Sequence, residues 1–360
     1  MKSVEHNHSG AAHMAPRSIS DVIHSLPKTE IHIHAEATVS FESYFALNQK
    51  YHADPSLKQP SDFRRLLEMD SLGVMIKNFF YLQSLFRAPE DFKYVVSDVR
   101  DYAARNNIQY LELFVAPSMV LKRGEIDFAG IMDPLVEGFS AVFAQGGPDV
   151  RLLVDVSRAF GRENAENNLK QLLSYRKKRS TDRILGIGLG GQEAGNPCLA
   201  YRAVFKRAHD EGLHVVAHAG EEVGPESIRD AVVELGAERI GHGTSAIQDE
   251  SLMDLLRERA IPLEICPTSN VVTGKYVHTY EEHPMKTFYD RGLLVTLNTD
   301  DPVLFDVELE DEYLSVAERL GFGIKGIEAL LRNGIRASFM DEAQKKKASV
   351  RLESAIAALS

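Results

Sequence analysis

The sequence of 360 residues lacks the features by which secreted, membrane and nucleic-acid-binding proteins are usually recognised. Its two cysteines, Cys198 and Cys266, are too few for a disulfide framework, so we expect reduced thiols in a cytoplasmic protein. No apolar run approaches the length of a membrane span, and the amino terminus has no apolar signal core. The formal net charge of −11 and the absence of a long basic stripe argue against a nucleic-acid partner.

The composition is that of a globular protein, with 44% hydrophobic and 26% charged residues. Residues 1–17 are polar, and we expect them to form a disordered tail. Residues 18–360 contain no linker and no low-complexity segment, so we expect a single domain there. A chain of this length suits one α/β barrel with insertions.

Segments with strand character alternate with segments of helical periodicity along most of the chain. Eight strands are predicted, at residues 28–34, 108–116, 150–156, 184–189, 213–218, 239–242, 262–266 and 293–298. This alternation indicates a parallel sheet with covering helices, and eight repeats indicate a closed (β/α)8 TIM barrel. Residues 41–106 predict a helical insertion after strand 1, lying over one mouth of the barrel. The chain after residue 301 predicts extra C-terminal helices.

Metal-binding and acid–base residues recur where the predicted strands end. His32 and His34 lie two apart in the first strand, where alternation points both imidazoles to one face. An edge strand with two outward polar residues would show the same pattern. However, His218, His242 and Asp300 also fall at strand ends, and the active sites of such barrels lie at those ends. We therefore expect these side chains to converge at one rim.

Three histidines and one carboxylate form a set of nitrogen and oxygen donors that suits Zn²⁺, with iron, cobalt or manganese also admissible. A metal in an open site lowers the pKa of a bound water toward about 7, so hydroxide becomes available at neutral pH. The predicted metal ligands are His32, His34, His218 and Asp300.

Three further residues beside the predicted ligands suggest acid–base chemistry and substrate contact. His242 remains as a base and orienter for the water. Glu221 lies three residues after the ligand His218 in a glycine-flanked turn, where it can face the same cavity as a proton donor. Asp301 directly follows a ligand and can hydrogen-bond a substrate.

Five motifs in one order make the chain similar to a known family. They are LPKTEIHIH at 26–34, HAGE at 218–221, RIGHGT at 239–244, CPTSN at 266–270 and NTDDP at 298–302. Together they resemble the adenosine deaminase family of the metal-dependent amidohydrolases. The resemblance implies a (β/α)8 barrel with one zinc ion per chain. It also implies that a zinc-activated water removes the 6-amino group of a purine, giving the 6-oxopurine and ammonia.

The resemblance also implies roles for individual residues, carried over by motif. Glu221 corresponds to the glutamate that protonates purine N1 and thereby makes C6 electrophilic. His242 corresponds to the histidine that handles the proton of the attacking water. Asp301 corresponds to the aspartate that contacts N7, and Gly191 to the glycine whose backbone meets the N3 side. The implied substrate-binding residues are His34, Glu36, Gly191 and Asp301.

The chain departs from the family pattern just after the metal histidines. Adenosine deaminases usually carry Leu-Asp-Gly there, with the aspartate meeting the 5′-hydroxyl of the sugar, whereas this chain has AEAT at 35–38. Glu36 replaces the aspartate with a longer acid. Adenine deaminases and aminodeoxyfutalosine deaminases of the family also depart at this place. The group attached at purine N9 therefore stays open.

Adenosine or a closely related 6-aminopurine nucleoside is the substrate that we expect, with adenine or aminodeoxyfutalosine as alternatives. An alternative outside the enzymes is that the protein is a metal-binding scaffold without catalytic activity. Glu221 and His242 argue against that reading, since a purely structural site would need neither. Structural zinc also prefers sulfur-rich, closed sites. The expected partner is a small purine nucleoside or base, with no membrane or nucleic-acid partner, and the oligomeric state stays open.

Several remaining sequence patterns are not assigned to a functional site. The run GIGLGG at 186–191 matches a dinucleotide fingerprint, but the residues after it break helices, so we expect a barrel loop. The chain has no C-x-x-C, which excludes the nucleobase deaminases that use that motif. Residues 184–189 contain no lysine to bridge two metals, which favours one. The other histidines are expected on the surface or in packing: His24, His52, His209, His214, His278 and His283.

Overall fold

Eight parallel strands follow one another around the sheet in the order of the chain in the computed structural model. The alternation of strands and helices therefore builds the predicted (β/α)8 barrel, and the strand bounds differ from the predicted ones by at most two residues. The strands are β1 (Lys28–His34), β2 (Ile108–Val115), β3 (Asp149–Asp155), β4 (Ile184–Leu189), β5 (His214–Ala219), β6 (Arg239–His242), β7 (Leu263–Ile265) and β8 (Val295–Leu297).

Helices surround the barrel, and three of them form the predicted insertion between β1 and β2. The α-helices are α1 (Ile19–Ser25), α2 (Phe41–Tyr51), α3 (Leu72–Gln83), α4 (Lys93–Arg105), α5 (Ser118–Arg123), α6 (Phe128–Ala144), α7 (Gly161–Arg176), α8 (Arg202–Asp210), α9 (Pro225–Val233), α10 (Glu250–Glu258), α11 (Pro267–Thr273), α12 (Met285–Asp290), α13 (Pro302–Phe305), α14 (Leu309–Arg319), α15 (Ile324–Ala337) and α16 (Glu342–Leu359). Short 3₁₀ helices lie at Glu36–Thr38, Pro60–Leu67, Pro89–Phe92, Arg158–Phe160, Cys198–Tyr201, Thr244–Gln248 and Tyr280–Glu282.

The described part of the chain comprises residues 18–69, 71–179 and 182–359. The predicted tail at residues 1–17 lies outside it. Both cysteines are buried and free, in line with the expectation of reduced thiols. Within these ranges, no helix combines the length and the apolar character that crossing a bilayer requires.

Closure of the barrel fixes Asp300 against the first strand. The backbone N–H of His34 donates to the carbonyl oxygen of Asp300 at 2.9 Å, and the N–H of Asp300 donates to the carbonyl oxygen of His32 at 3.1 Å. Asp300 has a φ of +67°, a conformation that residues other than glycine rarely adopt. The two closing bonds hold it there, so its carboxylate lies beside the two β1 imidazoles.

A chain of buried charges lies in the barrel interior next to His32. Arg239 pairs with Glu112 and with Glu264 at 2.6 Å each, and all three side chains are almost fully buried. The second oxygen of Glu264 lies 2.7 Å from Nδ1 of His32. Because buried charges are costly unless they are paired, this arrangement fixes Glu264 and, through it, the ring of His32.

Candidate active site

His32, His34, His218 and Asp300 meet at the carboxyl-terminal rim of the barrel. Each offers one ligand atom, and these atoms all lie within 4.8 Å of one another. Oδ1 of Asp300 lies 3.4 Å from Nε2 of His32 and 3.2 Å from Nε2 of His34. Nε2 of His218 lies 3.4 Å from Nε2 of His34. His32 and His34 therefore lie on the same face of β1, as the alternation of side chains along a strand predicts.

The donor set fits a metal ion. Nε2 of His32 is buried and has no hydrogen-bond partner among the described residues, while Nδ1 of the same ring is held by Glu264. A carboxylate on the far nitrogen is the usual support of a metal-bound histidine, because it sets the tautomer and the ring orientation. Burial raises the pKa of Asp300, but the imidazoles of His32 and His34, whose Nε2 atoms lie 3.4 and 3.2 Å from its Oδ1, outweigh that effect and hold the pKa well below its usual range. The site therefore brings together three imidazoles and one carboxylate, each of which offers one ligand atom.

Glu221 and His242 face each other beside this cluster. Nε2 of His242 lies 3.5 Å from Oε2 of Glu221 and 3.9 Å from Oδ2 of Asp300. Burial, together with the charges of Asp300 and Glu193, raises the pKa of Glu221 well above its usual range. Burial also lowers the pKa of His242 to about 4. Burial thus favours the protonated form of the Glu221 carboxyl group and the neutral form of the His242 imidazole.

A cavity opens above the cluster, and helix α3 forms one wall of it. The α3 residues in the wall are spaced three and four apart, so they share one helix face. They are Leu72, Met75, Ile76, Phe79, Phe80 and Gln83. The predicted insertion thus covers the mouth of the barrel, and the cavity combines an apolar wall with a polar floor.

Gly191 and Asp301 both line the cavity, as the family resemblance implies. Gly191 has a φ of +87°, and a Cβ there would lie 3.3 Å from Oγ of Ser157, so a side chain would be both strained and crowded. Burial and the adjacent Asp300 raise the pKa of Asp301 to about 8. This shift favours the protonated carboxyl group, which can donate a hydrogen bond to an acceptor such as a ring nitrogen.

Glu36, the predicted sugar-contact residue, does not line the cavity. Its Oε1 accepts hydrogen bonds from Nε2 of Gln83 at 3.0 Å and from the backbone N–H of Ala116 at 3.1 Å. Both of these residues line the cavity, and Glu36 lies behind them. Its expected contact with a sugar hydroxyl stays a prediction.

Asp155 is a cavity residue that the sequence interpretation missed. It ends β3 and lines the cavity together with Ser157 and Phe160. Its Oδ1 accepts hydrogen bonds from the backbone N–H groups of Ser157 at 2.7 Å and Gly190 at 2.9 Å. Its position at a strand end, the signal that identified His218, would have identified it. Ser269, whose hydroxyl donates to Oδ2 of Asp300 at 2.7 Å, was missed as well.

The fold and the site define the class as hydrolytic deaminases built on a TIM barrel. The family model for adenosine deaminase matches residues 27–355, and the chain belongs to this adenosine deaminase family. An aminodeoxyfutalosine deaminase of Streptomyces coelicolor is 36% identical, over 95% of this chain and 88% of that protein. An adenosine deaminase of Erwinia tasmaniensis is 33% identical, over 91% of this chain and 98% of that protein. The crystal structure of an adenine deaminase from Arthrobacter aurescens superposes with a TM-score of 0.87 at 26% identity, covering 92% of this chain and 99% of that one.

Proposed function

We propose that the protein hydrolytically deaminates adenosine or a closely related 6-aminopurine nucleoside, giving the 6-oxopurine and ammonia, with one zinc ion per chain. The observation that carries the proposal is that Glu221, whose pKa is raised by burial, lines the same cavity as His34, His218 and Asp300 of the metal-type cluster. A proton donor beside a metal-type donor set is what hydrolysis of a ring amidine needs. Such a pairing has no use in a structural metal site.

The four ligands in this proposal are His32, His34, His218 and Asp300. Their nitrogen and oxygen donors suit Zn²⁺, which when bound would lower the pKa of a water toward about 7. Around that centre, Glu221 gives its proton to N1 and makes C6 electrophilic. Asp301, with its raised pKa, donates to N7, and the backbone of Gly191 meets the N3 side. The apolar wall of α3 excludes bulk water from the reacting atoms.

In this proposal, Asp155 is the residue that recognises the group attached at purine N9. Both hydrogen bonds from backbone groups go to its Oδ1, which holds the carboxylate in place while the residue faces the cavity. A fixed carboxylate is a strong acceptor for a sugar hydroxyl. Glu36, the residue at the family's usual sugar-contact position, is separated from the cavity by Gln83 and Ala116.

Ammonia release by zinc-loaded protein tests the function, with adenosine, deoxyadenosine, adenine and aminodeoxyfutalosine as substrates. Adenosine or deoxyadenosine is expected to react fastest. Aminodeoxyfutalosine is the second candidate, because the relative from Streptomyces coelicolor shares 36% identity with this chain. Adenine, the base without a sugar, is expected to be slower if Asp155 contacts the sugar. Absence of ammonia with all four compounds would contradict the proposal and support a scaffold without catalysis.

Replacing Asp155 by asparagine is expected to raise KM for the nucleoside by about tenfold, with a smaller change in kcat. A hydrogen bond from a neutral donor to a charged acceptor contributes about 1.5–3 kcal/mol, and asparagine keeps the shape but not the charge. The sharper measurement uses 2′-, 3′- and 5′-deoxyadenosine beside adenosine. One of these analogues lacks the hydroxyl group that donates a hydrogen bond to Asp155. The variant should no longer discriminate between that analogue and adenosine.

Asp149→Asn serves as the matched control for this prediction, because Asp149 begins the strand that Asp155 ends. Asp149 pairs with Arg151 and Arg183, so the control variant is expected to lose stability but to keep the pattern among the analogues. Glu36→Asp supplies the competing result. If it alters the discrimination while Asp155→Asn does not, the sugar is read at the position that the family resemblance implies.

A further inference from the structure

A buried line of hydrogen bonds lies behind the ring of His242. The backbone N–H of Met285 lies 3.1 Å from Nδ1 of His283, whose Nε2 lies 3.1 Å from Oδ1 of Asn270. The amide nitrogen Nδ2 of Asn270 lies 2.9 Å from Nδ1 of His242. His283, Asn270 and His242 are 4%, 3% and 1% exposed, so water does not compete for these bonds.

The direction of the whole line is set at its backbone end. The N–H of Met285 can only donate, so Nδ1 of His283 accepts. Burial lowers the pKa of His283 to about 3, and the neutral ring then carries its single proton on Nε2. That N–H donates to Oδ1 of Asn270, which turns the amide NH₂ group toward His242. Nδ1 of His242 must therefore accept.

An accepting Nδ1 leaves the proton of the neutral His242 ring on Nε2. An imidazolium would be excluded by the same contact, because Nδ1–H would face the NH₂ group of Asn270. Nε2 is the atom that lies 3.5 Å from Glu221 and 3.9 Å from Asp300, at the floor of the cavity. His242 thus presents a hydrogen-bond donor to the reacting atoms, and its lone pair is occupied on the opposite side.

We infer that Asn270 and His283 are positioning residues that hold His242 in the Nε2–H tautomer. In this state His242 donates a hydrogen bond to the oxygen that adds to C6 and does not act as the base for the attacking water. The inference rests on the proposed function. It also revises two interpretations: the role of His242 as a base, and that of His283 as a surface or packing residue with no connection to the site.

The proton balance of the reaction then goes through Glu221. Its carboxyl proton passes to N1 as the bond between oxygen and C6 forms, and the carboxylate takes one proton from the attacking water. It gives that proton to the amino group, and the C6–N bond breaks to release ammonia. It finally takes the remaining hydroxyl proton as the C6 carbonyl forms, which restores the carboxyl group.

Nitrogen NMR of the zinc-loaded protein with ¹⁵N-labelled histidine rings tests the tautomer directly. The His242 signals are assigned by their absence in His242→Gln. The expected spectrum has the proton on Nε2 and an unprotonated Nδ1, and a proton on Nδ1 would overturn the inference. This measurement needs no turnover. Failure of the proposed function, seen as absent ammonia release, is therefore distinguishable from failure of the inference.

Asn270→Asp reverses only the last hydrogen bond of the line, the one to Nδ1 of His242, because a carboxylate oxygen accepts where the amide NH₂ group donated. The His242 proton is then expected on Nδ1, and kcat is expected to fall by about 10²-fold, the loss typical of removing one donor to a developing oxyanion. KM should change little, because Asn270 does not line the cavity. An unchanged kcat, or an unchanged His242 spectrum, would contradict the inference.

A pair of substitutions at His283 separates positioning from packing. His283→Gln keeps an amide donor near the position of Nε2 and is expected to retain most of kcat. His283→Leu removes the donor and is expected to lose about tenfold in kcat, with a mixture of His242 tautomers in the NMR spectrum. Thermal unfolding of both variants measures the cost in packing. Equal kcat values for the two variants would show that His283 only fills space.

Discussion

Replacing Glu221 by glutamine is expected to lower kcat by about 10³-fold, within the range that a positioned acid or base contributes. Burial and the charges of Asp300 and Glu193 raise the pKa of Glu221 well above its usual range, which favours the protonated carboxyl group. Glutamine has nearly the same shape and can donate a hydrogen bond, but it cannot transfer a proton to N1. Substrate should still bind, so we expect KM to change much less than kcat.

Steady-state ammonia release, with zinc content measured by elemental analysis, checks this expectation. Glu226→Gln is the matched control, because Glu226 is exposed in the first turn of α9 and undergoes the same glutamate-to-glutamine replacement away from the cavity. Both variants should retain one zinc ion per chain. If Glu221→Gln stays within tenfold of the wild-type kcat, N1 receives its proton from another group and the proposed role is wrong.

Replacing His218 by alanine is expected to remove the metal and to lower kcat/KM by at least about 10³-fold, which corresponds to about 4 kcal/mol. The imidazole of His218 supplies one of four donors, and alanine leaves only His32, His34 and Asp300. Three remaining donors bind zinc more weakly. The loss should therefore be seen first as reduced metal content after dialysis.

His214→Ala is the control on the same strand, since β5 begins at His214 and continues to the rim where His218 lies. The ring of His214 stacks on Phe339 with centroids 3.9 Å apart and lies far from the ligands, so the control should keep its zinc. Zinc content at the wild-type level in His218→Ala would exclude His218 as a ligand.

The strands and the metal-type cluster followed from local patterns. Alternation in β1 predicts that His32 and His34 share a face, and this depends only on the two-residue period of a strand. That His218 and Asp300 join them follows from the parallel arrangement, in which all strands end at one rim. The helix Pro267–Thr273 was missed, since it follows directly on a short strand and has no amphipathic repeat of its own.

Contacts between segments that are distant in the sequence could not be predicted from these local patterns. Glu36 has the sequence position of a sugar-binding acid, yet its carboxylate bonds to Gln83 of α3, a helix of the insertion. Asp155 faces the cavity instead, because the backbone of Ser157 and Gly190 holds it there. His283 reaches Asn270 because the 3₁₀ helix Tyr280–Glu282, which directly precedes His283, packs against α11. None of these contacts can be predicted from the strand or helix periodicity of the sequence.

The sequence by itself determined the barrel, the family and the residue types that meet at the rim, because strand period and parallel order decide which residues share a face. The tertiary structure alone decided that Asp155 lines the cavity while Glu36 does not, and that Nδ1 of His242 lies against the side-chain amide of Asn270. These outcomes depend on the packing of segments that are distant in the chain, and no local sequence pattern specifies that packing.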